Sequence, residues 1–169
     1  GTLDFVLLKP IDSQFFISLK KITPSGILEI ILGICLLFYC IKINQINFNL
    51  SFLTLCLITI ICSICILYSL WFFISTTTIW FVKTWNAIEV LRSFLYIGRF
   101  PLSSFSFSLR IFFSVFIPIA FITTIPSEVF LGLSVLWKIL LEVIVATVFL
   151  ITSRKFWLFA LKFYSSASS

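Results

Sequence analysis

The 169-residue sequence contains no histidine, and only 11% of its residues are charged. Its six carboxylates lie in separate segments, and its five glycines never form a phosphate-binding or dinucleotide-binding loop. Acid/base catalysis and metal binding usually depend on histidine or on clustered carboxylates. We therefore expect that this chain is not an enzyme and that it binds neither a cofactor nor a metal ion.

Most of the sequence consists of apolar residues. The chain is 61% hydrophobic with a mean hydropathy of +1.22, far outside the range of soluble domains. A membrane-spanning helix needs about 20 apolar residues. The long runs are apolar on every side, whereas the strands of a membrane barrel alternate apolar and polar residues. We predict an all-α integral membrane protein with about four transmembrane helices.

All five cysteines fall inside these apolar runs. Cys62 and Cys65 form a C-x-x-C pair, but no charge lies nearby in the sequence to stabilise a thiolate. We interpret the cysteines as small hydrophobic packing residues rather than as disulfide partners or metal ligands.

The apolar runs predict the following organisation: an interfacial segment at 1–25, spans at about 26–43, 50–78, 105–125 and 130–152, an amphipathic cytoplasmic connection at 83–104, and a cytoplasmic tail at 153–169. Residues 50–82 carry no charge and are too long for one upright span, so this helix must tilt or emerge from the bilayer. The string TTIPSEV between the last two spans predicts a turn.

The first 25 residues mix charged and large apolar side chains and cannot span a bilayer. Phe15, Phe16 and Leu19 recur near helical spacing, which predicts a short interfacial helix between Pro10 and Pro24.

Basic residues predict the orientation. Ten of the twelve lie on one predicted side, namely Lys9, Lys20, Lys21, Lys83, Arg92, Arg99, Arg110, Arg154, Lys155 and Lys162. Both termini are therefore expected on the cytoplasmic side, or on its organellar equivalent. The net charge of +6 is a topology signal, and we expect no nucleic-acid partner.

Charges inside the predicted spans are candidate functional residues because each is costly there unless paired or hydrated. Lys138 and Glu142 are four residues apart, which predicts an intrahelical salt bridge. The alternative is that the two residues line a polar substrate path.

Two prolines and several tryptophans also stand out. Pro118 and Pro126 bracket PIAFITTIP, which predicts either a broken helix of the kind that lines transporter cavities or a kink followed by a turn. Trp80, Trp85 and Trp157 are expected to anchor the chain at the cytoplasmic interface of the membrane.

The chain contains, in order, the strings GTLDFVLLKP, IDSQFFISL, IWFVKTWNAIEV, GRFPLSSFSFSLR, IPIAFITTIP and LKFYSSASS. Together they resemble the permease subunits of type-2 ABC exporters, in the bacterial and cyanobacterial branch of six-span permeases encoded beside a separate ATPase. Two spans precede the first string in that family. The resemblance thus implies that this chain corresponds to the last two-thirds of a permease.

The resemblance also implies a coupling helix between Leu3 and Leu19, which would dock in a groove of the ATPase. The implied coupling residues are Asp4, Phe5, Leu7, Lys9, Pro10, Phe15 and Phe16; a cap on the lipid headgroups is the alternative role for this segment. ATP and magnesium would be bound by the ATPase, and a second copy of the permease would complete the unit. The family's broken-helix element maps onto residues 117–130.

The expected function is therefore that of the membrane subunit of an ATP-driven exporter, in a bacterial or cyanobacterial inner membrane or in a plastid membrane. The alternative is a structural subunit, without transport activity, of a larger membrane complex such as a photosynthetic one.

Overall fold

A computed structural model describes residues 4–19, 24–43, 49–81, 85–100, 104–115, 118–133 and 136–164, and all of its regular structure is helical. The elements are α1 (Asp4–Leu7), α2 (Ser13–Leu19), α3 (Pro24–Ile43), α4 (Leu50–Thr77), α5 (Trp85–Ile97), α6 (Phe107–Val115), a π-helix (Ala120–Thr124), α7 (Ile125–Phe130) and α8 (Leu136–Leu161). Several positions named above lie outside the described ranges: Leu3, Lys20, Lys21, Lys83, residue 117 and residues 165–169.

Three helices are long and apolar enough to cross a membrane: α3, α4 and α8. With 28 residues, α4 is about 42 Å long at ~1.5 Å per residue, which exceeds the hydrocarbon thickness of a bilayer. The prediction of an all-α membrane protein is confirmed.

The core of the molecule is the pair α4 and α8, which run parallel. Ser63 of α4 meets Glu142 of α8, and further along both helices Phe72 packs on Trp157. Residue numbers thus rise together on the two helices, so both cross in the same direction. The chain between them must return across the membrane.

No single long helix makes that return within the described part of this stretch. The expected third span, 105–125, differs from a single regular helix in its described parts: it contains α6, which ends at Val115, and the π-helix, which begins at Ala120, and residues 116 and 117 between them lie outside the described ranges. The expected fourth span also differs, because α8 begins at Leu136 and extends nine residues beyond position 152.

The π-helix and α7 follow one another without a break, and we call residues 120–130 the π–α segment. The predicted turn TTIPSEV is therefore wrong, since these residues are helical. Phe121 meets Ser63 while Val129 packs near Cys56, so the π–α segment runs antiparallel to α4. It makes up one part of the return crossing.

The π–α segment ends at a turn that contains Gly132. Gly132 has a φ of 71°, and the amides of Gly132 and Leu133 bond to the carbonyls of Val129 and Glu128. This pair of bonds is a Schellman motif, which requires a left-handed residue after the helix end. The motif turns the chain toward α8.

Candidate functional site

The N-terminal segment forms a two-helix unit, α1–α2, whose second helix is capped by Asp12. The Oδ1 atom of Asp12 accepts a 3.0 Å hydrogen bond from the amide of Phe15, the N-cap contact that satisfies a free helix-start donor. The ammonium of Lys9 lies 4.2 Å from the centre of the Phe16 ring, which links the end of α1 to α2.

Arg154 of α8 binds the same carboxylate. Its Nη1 atom donates to Asp12 Oδ1 at 3.0 Å and to Gln14 Oε1 at 3.1 Å, and its Nη2 atom donates to Asp12 Oδ2. Two parallel N–H bonds to one carboxylate fix its orientation as well as its position. Asp12 therefore caps α2 and ties it to α8.

Further hydrogen bonds attach α2 to both helices of the core. Gln14 Nε2 donates to the hydroxyl of Tyr68 in α4 at 3.2 Å, and Ser18 Oγ lies 2.9 Å from that hydroxyl. On α8, the indole Nε1 of Trp157 donates to Ser13 Oγ at 3.0 Å. The unit α1–α2 is thus held against α4 and α8 at once.

Trp157 is only 4% exposed and packs edge-on against Phe72, with ring centres 5.3 Å apart. The prediction that it anchors the membrane interface is wrong, because its indole is enclosed between α2 and α4. Trp80 is exposed and packs on Phe156 and Phe163, whereas the Trp85 side chain lies outside the described part of the chain.

Local electrostatics reflect these contacts. The amide of Phe15 and then the guanidinium of Arg154 lower the pKa of the Asp12 carboxyl below its ordinary value of 3.8. At the other end of the unit, loss of solvent and a hydrogen bond with Asp4 raise the pKa of the Tyr164 phenol, which follows α8. Asp4 thus lies beside the end of α8.

The α1–α2 unit also carries exposed apolar side chains, which we call the exposed apolar face of α1–α2. Phe5, Leu8 and Phe15 are 72%, 81% and 60% exposed. Of the implied coupling residues, Asp4 and Phe16 are half-buried and the others are exposed, namely Phe5, Leu7, Lys9, Pro10 and Phe15.

A second polar group lies inside the core, around Glu142. This side chain is fully buried, and its Oε1 atom lies 3.1 Å from Ser63 Oγ on α4. The same Ser63 hydroxyl lies 3.1 Å from the carbonyl oxygen of Phe121 in the π-helix. We call Glu142, Ser63 and the Phe121 carbonyl the central polar cluster; it joins α8, α4 and the π–α segment.

The predicted salt bridge between Lys138 and Glu142 is wrong. Lys138 Nζ binds Glu128 Oε2 of α7 at 2.6 Å, and both side chains are about a third exposed. Lys138 lies near the start of α8, beside the Schellman turn, where the carboxylate of Glu128 is within reach and water can approach. Glu142 lies one turn deeper and faces α4.

The two prolines have different positions. Pro118 is fully buried just before the π-helix, and Pro126 lies inside continuous helix. The π–α segment itself is therefore unbroken helix, and residues 116 and 117, which separate α6 from Pro118, lie outside the described ranges. Among the described residues, no three histidine, cysteine or acidic side chains are grouped to hold a metal ion.

A sequence model for the family described as ABC-2 family transporter protein matches residues 1–168. The chain belongs to the ABC-2 transporter family. No curated protein and no solved structure matches the chain. As an ABC-2 family protein, it is a multi-pass membrane component of a transporter, that is, a permease.

Residue patterns missed most of the contacts that hold this ABC-2 protein together. Asp12 was readable as a helix cap, because an Asp just before an apolar helical stretch is a common start signal. The partners of α2 on α4 and α8 gave no sequence signal, since Tyr68 and Arg154 are far from Asp12 in the chain. Ser63 was one serine among apolar neighbours.

Proposed function

We propose that this permease works in an ATP-driven exporter, in which a separate ATPase docks on the exposed apolar face of α1–α2. The observation that carries the proposal is the double attachment of α2, which is bound to α4 through Tyr68 and to α8 through Arg154 and Trp157. ATP and magnesium are bound by the ATPase, and this chain contributes the docking surface.

The attachment suits transmission of movement. A displacement of α2 pulls on directional hydrogen bonds to two parallel core helices, so both are shifted together rather than one alone. The bidentate bond between Arg154 and Asp12 resists rotation as well as translation. The outward aromatic and aliphatic side chains of Phe5, Leu8 and Phe15 are of the kind that anchors protein interfaces.

The working unit proposed is two copies of the permease with two ATPases, in a bacterial inner membrane or a plastid membrane. The α1–α2 side faces the cytoplasm or stroma. Basic side chains at this end, such as Arg154 and Lys155, agree with the tendency of Lys and Arg to remain on that side.

The decisive experiment is purification of the tagged protein in mild detergent, with identification and quantification of the chains that accompany it. We expect an ABC ATPase in equal amount. A stoichiometric large complex that contains no ATPase would contradict the exporter and would support the structural-subunit alternative.

A matched pair of variants locates the docking surface. Leu8→Ala removes an 81% exposed side chain from α1–α2, and Leu133→Ala removes a 69% exposed leucine near the start of α8, at the other end of the core. We expect Leu8→Ala to weaken ATPase binding by roughly tenfold, the loss of about one well-buried anchor, and Leu133→Ala to leave it unchanged. If the two variants weaken ATPase binding equally, the ATPase does not dock on α1–α2.

A further inference from the structure

If Glu142 is ionised, the central polar cluster has two hydrogen-bond acceptors but only one hydrogen to donate to them. The single hydroxyl hydrogen of Ser63 has two oxygen atoms at 3.1 Å, Glu142 Oε1 and the Phe121 carbonyl oxygen. A hydroxyl donates one hydrogen bond and accepts others. If Glu142 is a carboxylate, Ser63 can donate to only one of these two acceptors.

The Phe121 carbonyl accepts from Ser63, and neither of its two regular helical partners is available to it. In an α-helix its partner would be the amide of Ile125, but that amide bonds to the carbonyl of Ala120, in the π register. In the π register its partner would be residue 126, which is a proline and has no N–H. The π-helix and Pro126 together therefore expose this carbonyl to Ser63.

The carboxyl of Glu142 lies in an environment that opposes ionisation. The side chain has no exposure, and its Oε2 atom has no hydrogen-bond partner among the described residues. An unpaired carboxylate in such a place is far more costly than a neutral acid, which carries no charge to desolvate.

We propose that Glu142 is a proton-binding site and that its proton latches the π–α segment to the core. The protonated Oε1 donates to Ser63 Oγ, which leaves the Ser63 hydrogen free to donate to the Phe121 carbonyl. Loss of the proton gives a carboxylate that competes for the Ser63 hydrogen and leaves the Phe121 carbonyl without a donor. Protonation thus holds the segment, and deprotonation releases it.

The other titratable groups near the cluster do not offer an alternative charge partner. On α4 they are the thiols of Cys62 and Cys65 and, further along, Tyr68; the π-helix contributes none. Lys138 precedes Glu142 by one turn of α8, but its ammonium is bound to Glu128 of α7. Within the described chain, no basic side chain therefore neutralises Glu142, and the bound proton does so instead. This proposal is independent of any ATPase.

Infrared difference spectroscopy of the full chain in detergent tests the protonation. We expect the wild-type protein at neutral pH to show the C=O stretch of a protonated carboxylic acid that is absent in Glu142→Gln. The control Glu89→Gln, on an exposed residue paired with Arg92, should leave this band in place. A wild-type spectrum identical to that of Glu142→Gln in this region would overturn the proposal.

Hydrogen exchange of the amides of residues 120–130 tests the latch, after correction for the intrinsic pH dependence of exchange. Protection should fall as pH rises in the wild type but not in Glu142→Gln, whose amide group donates to Ser63 at every pH. Ser63→Ala should lack this protection at every pH. Equal pH responses of the wild type and Glu142→Gln would overturn the latch, and an unaltered far-ultraviolet spectrum in each variant excludes simple unfolding.

Discussion

The guanidinium of Arg154 binds the carboxylate of Asp12, 142 positions earlier in the chain, while that carboxylate caps α2. One acidic side chain therefore supports both the helix that we propose as the docking element and its attachment to the core. Substitution can separate these two roles, because the cap of α2 needs only an acceptor oxygen whereas the ion pair with Arg154 needs a negative charge.

Replacement of Asp12 separates them. Asparagine is as good an N-cap as aspartate, so Asp12→Asn should keep α2 helical but weaken its hold on α8. Asp12→Ala should lose both, at a further cost of about 1 kcal/mol. Hydrogen exchange of the α2 amides measures the difference, with Arg154→Met as the variant that removes the partner. If Asp12→Asn and Asp12→Ala are equally unprotected, the cap contributes nothing.

The same contact has a defined pH dependence. The pKa of Asp12 is lower in the folded chain than its ordinary value of 3.8, so its contribution is fully present above about that pH. The contribution disappears as the pH falls through the lowered value. We expect protection of α2 to decline in this acidic range in the wild type and to be flat there in Asp12→Asn. A decline at neutral pH would point to another group.

The sequence predicted the class of fold because lipid imposes long apolar helices, and α3, α4 and α8 are read directly from their composition. It failed at residues 123–129, where the π-helix and α7 stand in place of the expected turn. The reason is that Pro118, Pro126 and the threonines permit several backbone paths, and packing against α4 selects one. Local patterns contain no information on that packing.

The partners of the charged side chains also could not be predicted from the sequence. Spacing placed Lys138 beside Glu142 on one helix, but it could not reveal that Glu128 approaches from α7 or that Ser63 faces Glu142 from α4. The choice between partners depends on depth, because Lys138 is half-buried near a helix start and Glu142 is fully enclosed. Contacts between distant segments determine depth.

The bond between Lys138 and Glu128 predicts that the costs of removing the two partners are not additive. Both side chains retain contact with solvent, so each single loss should cost only about 1 kcal/mol. The double variant Lys138→Met with Glu128→Gln should cost less than the sum of the singles, because the second substitution has no pair left to break. Thermal unfolding in detergent measures the coupling. Strict additivity would mean that the two groups do not interact.

A close approach at the end of α5 gives another prediction. A Cβ atom on Gly98 would lie 2.8 Å from Ile119 Cγ2, and Ile119 is 1% exposed and unable to withdraw easily. Gly98→Ala should therefore destabilise the protein by about 1–3 kcal/mol, the usual cost of overpacking. Ile119→Ala removes the clashing methyl group, so the double variant should be more stable than the sum of the two single changes predicts. Additive losses would show that the clash is relieved elsewhere.

Two glycines provide a matched pair for the turn that joins α7 to α8. Gly132 has a φ of 71°, which disfavours any side chain, whereas Gly33 lies within α3 with open space around its Cα. Gly132→Ala should destabilise the protein by about 1 kcal/mol, because alanine resists the left-handed conformation that the Schellman motif requires. Gly33→Ala should stabilise α3 by up to about 1 kcal/mol, since glycine is the poorer helix former. Opposite shifts in the thermal midpoint are expected from the same chemical change. If Gly132→Ala shifts the midpoint upward as Gly33→Ala does, residue 132 does not need a positive φ, and the Schellman motif does not fix the entry into α8.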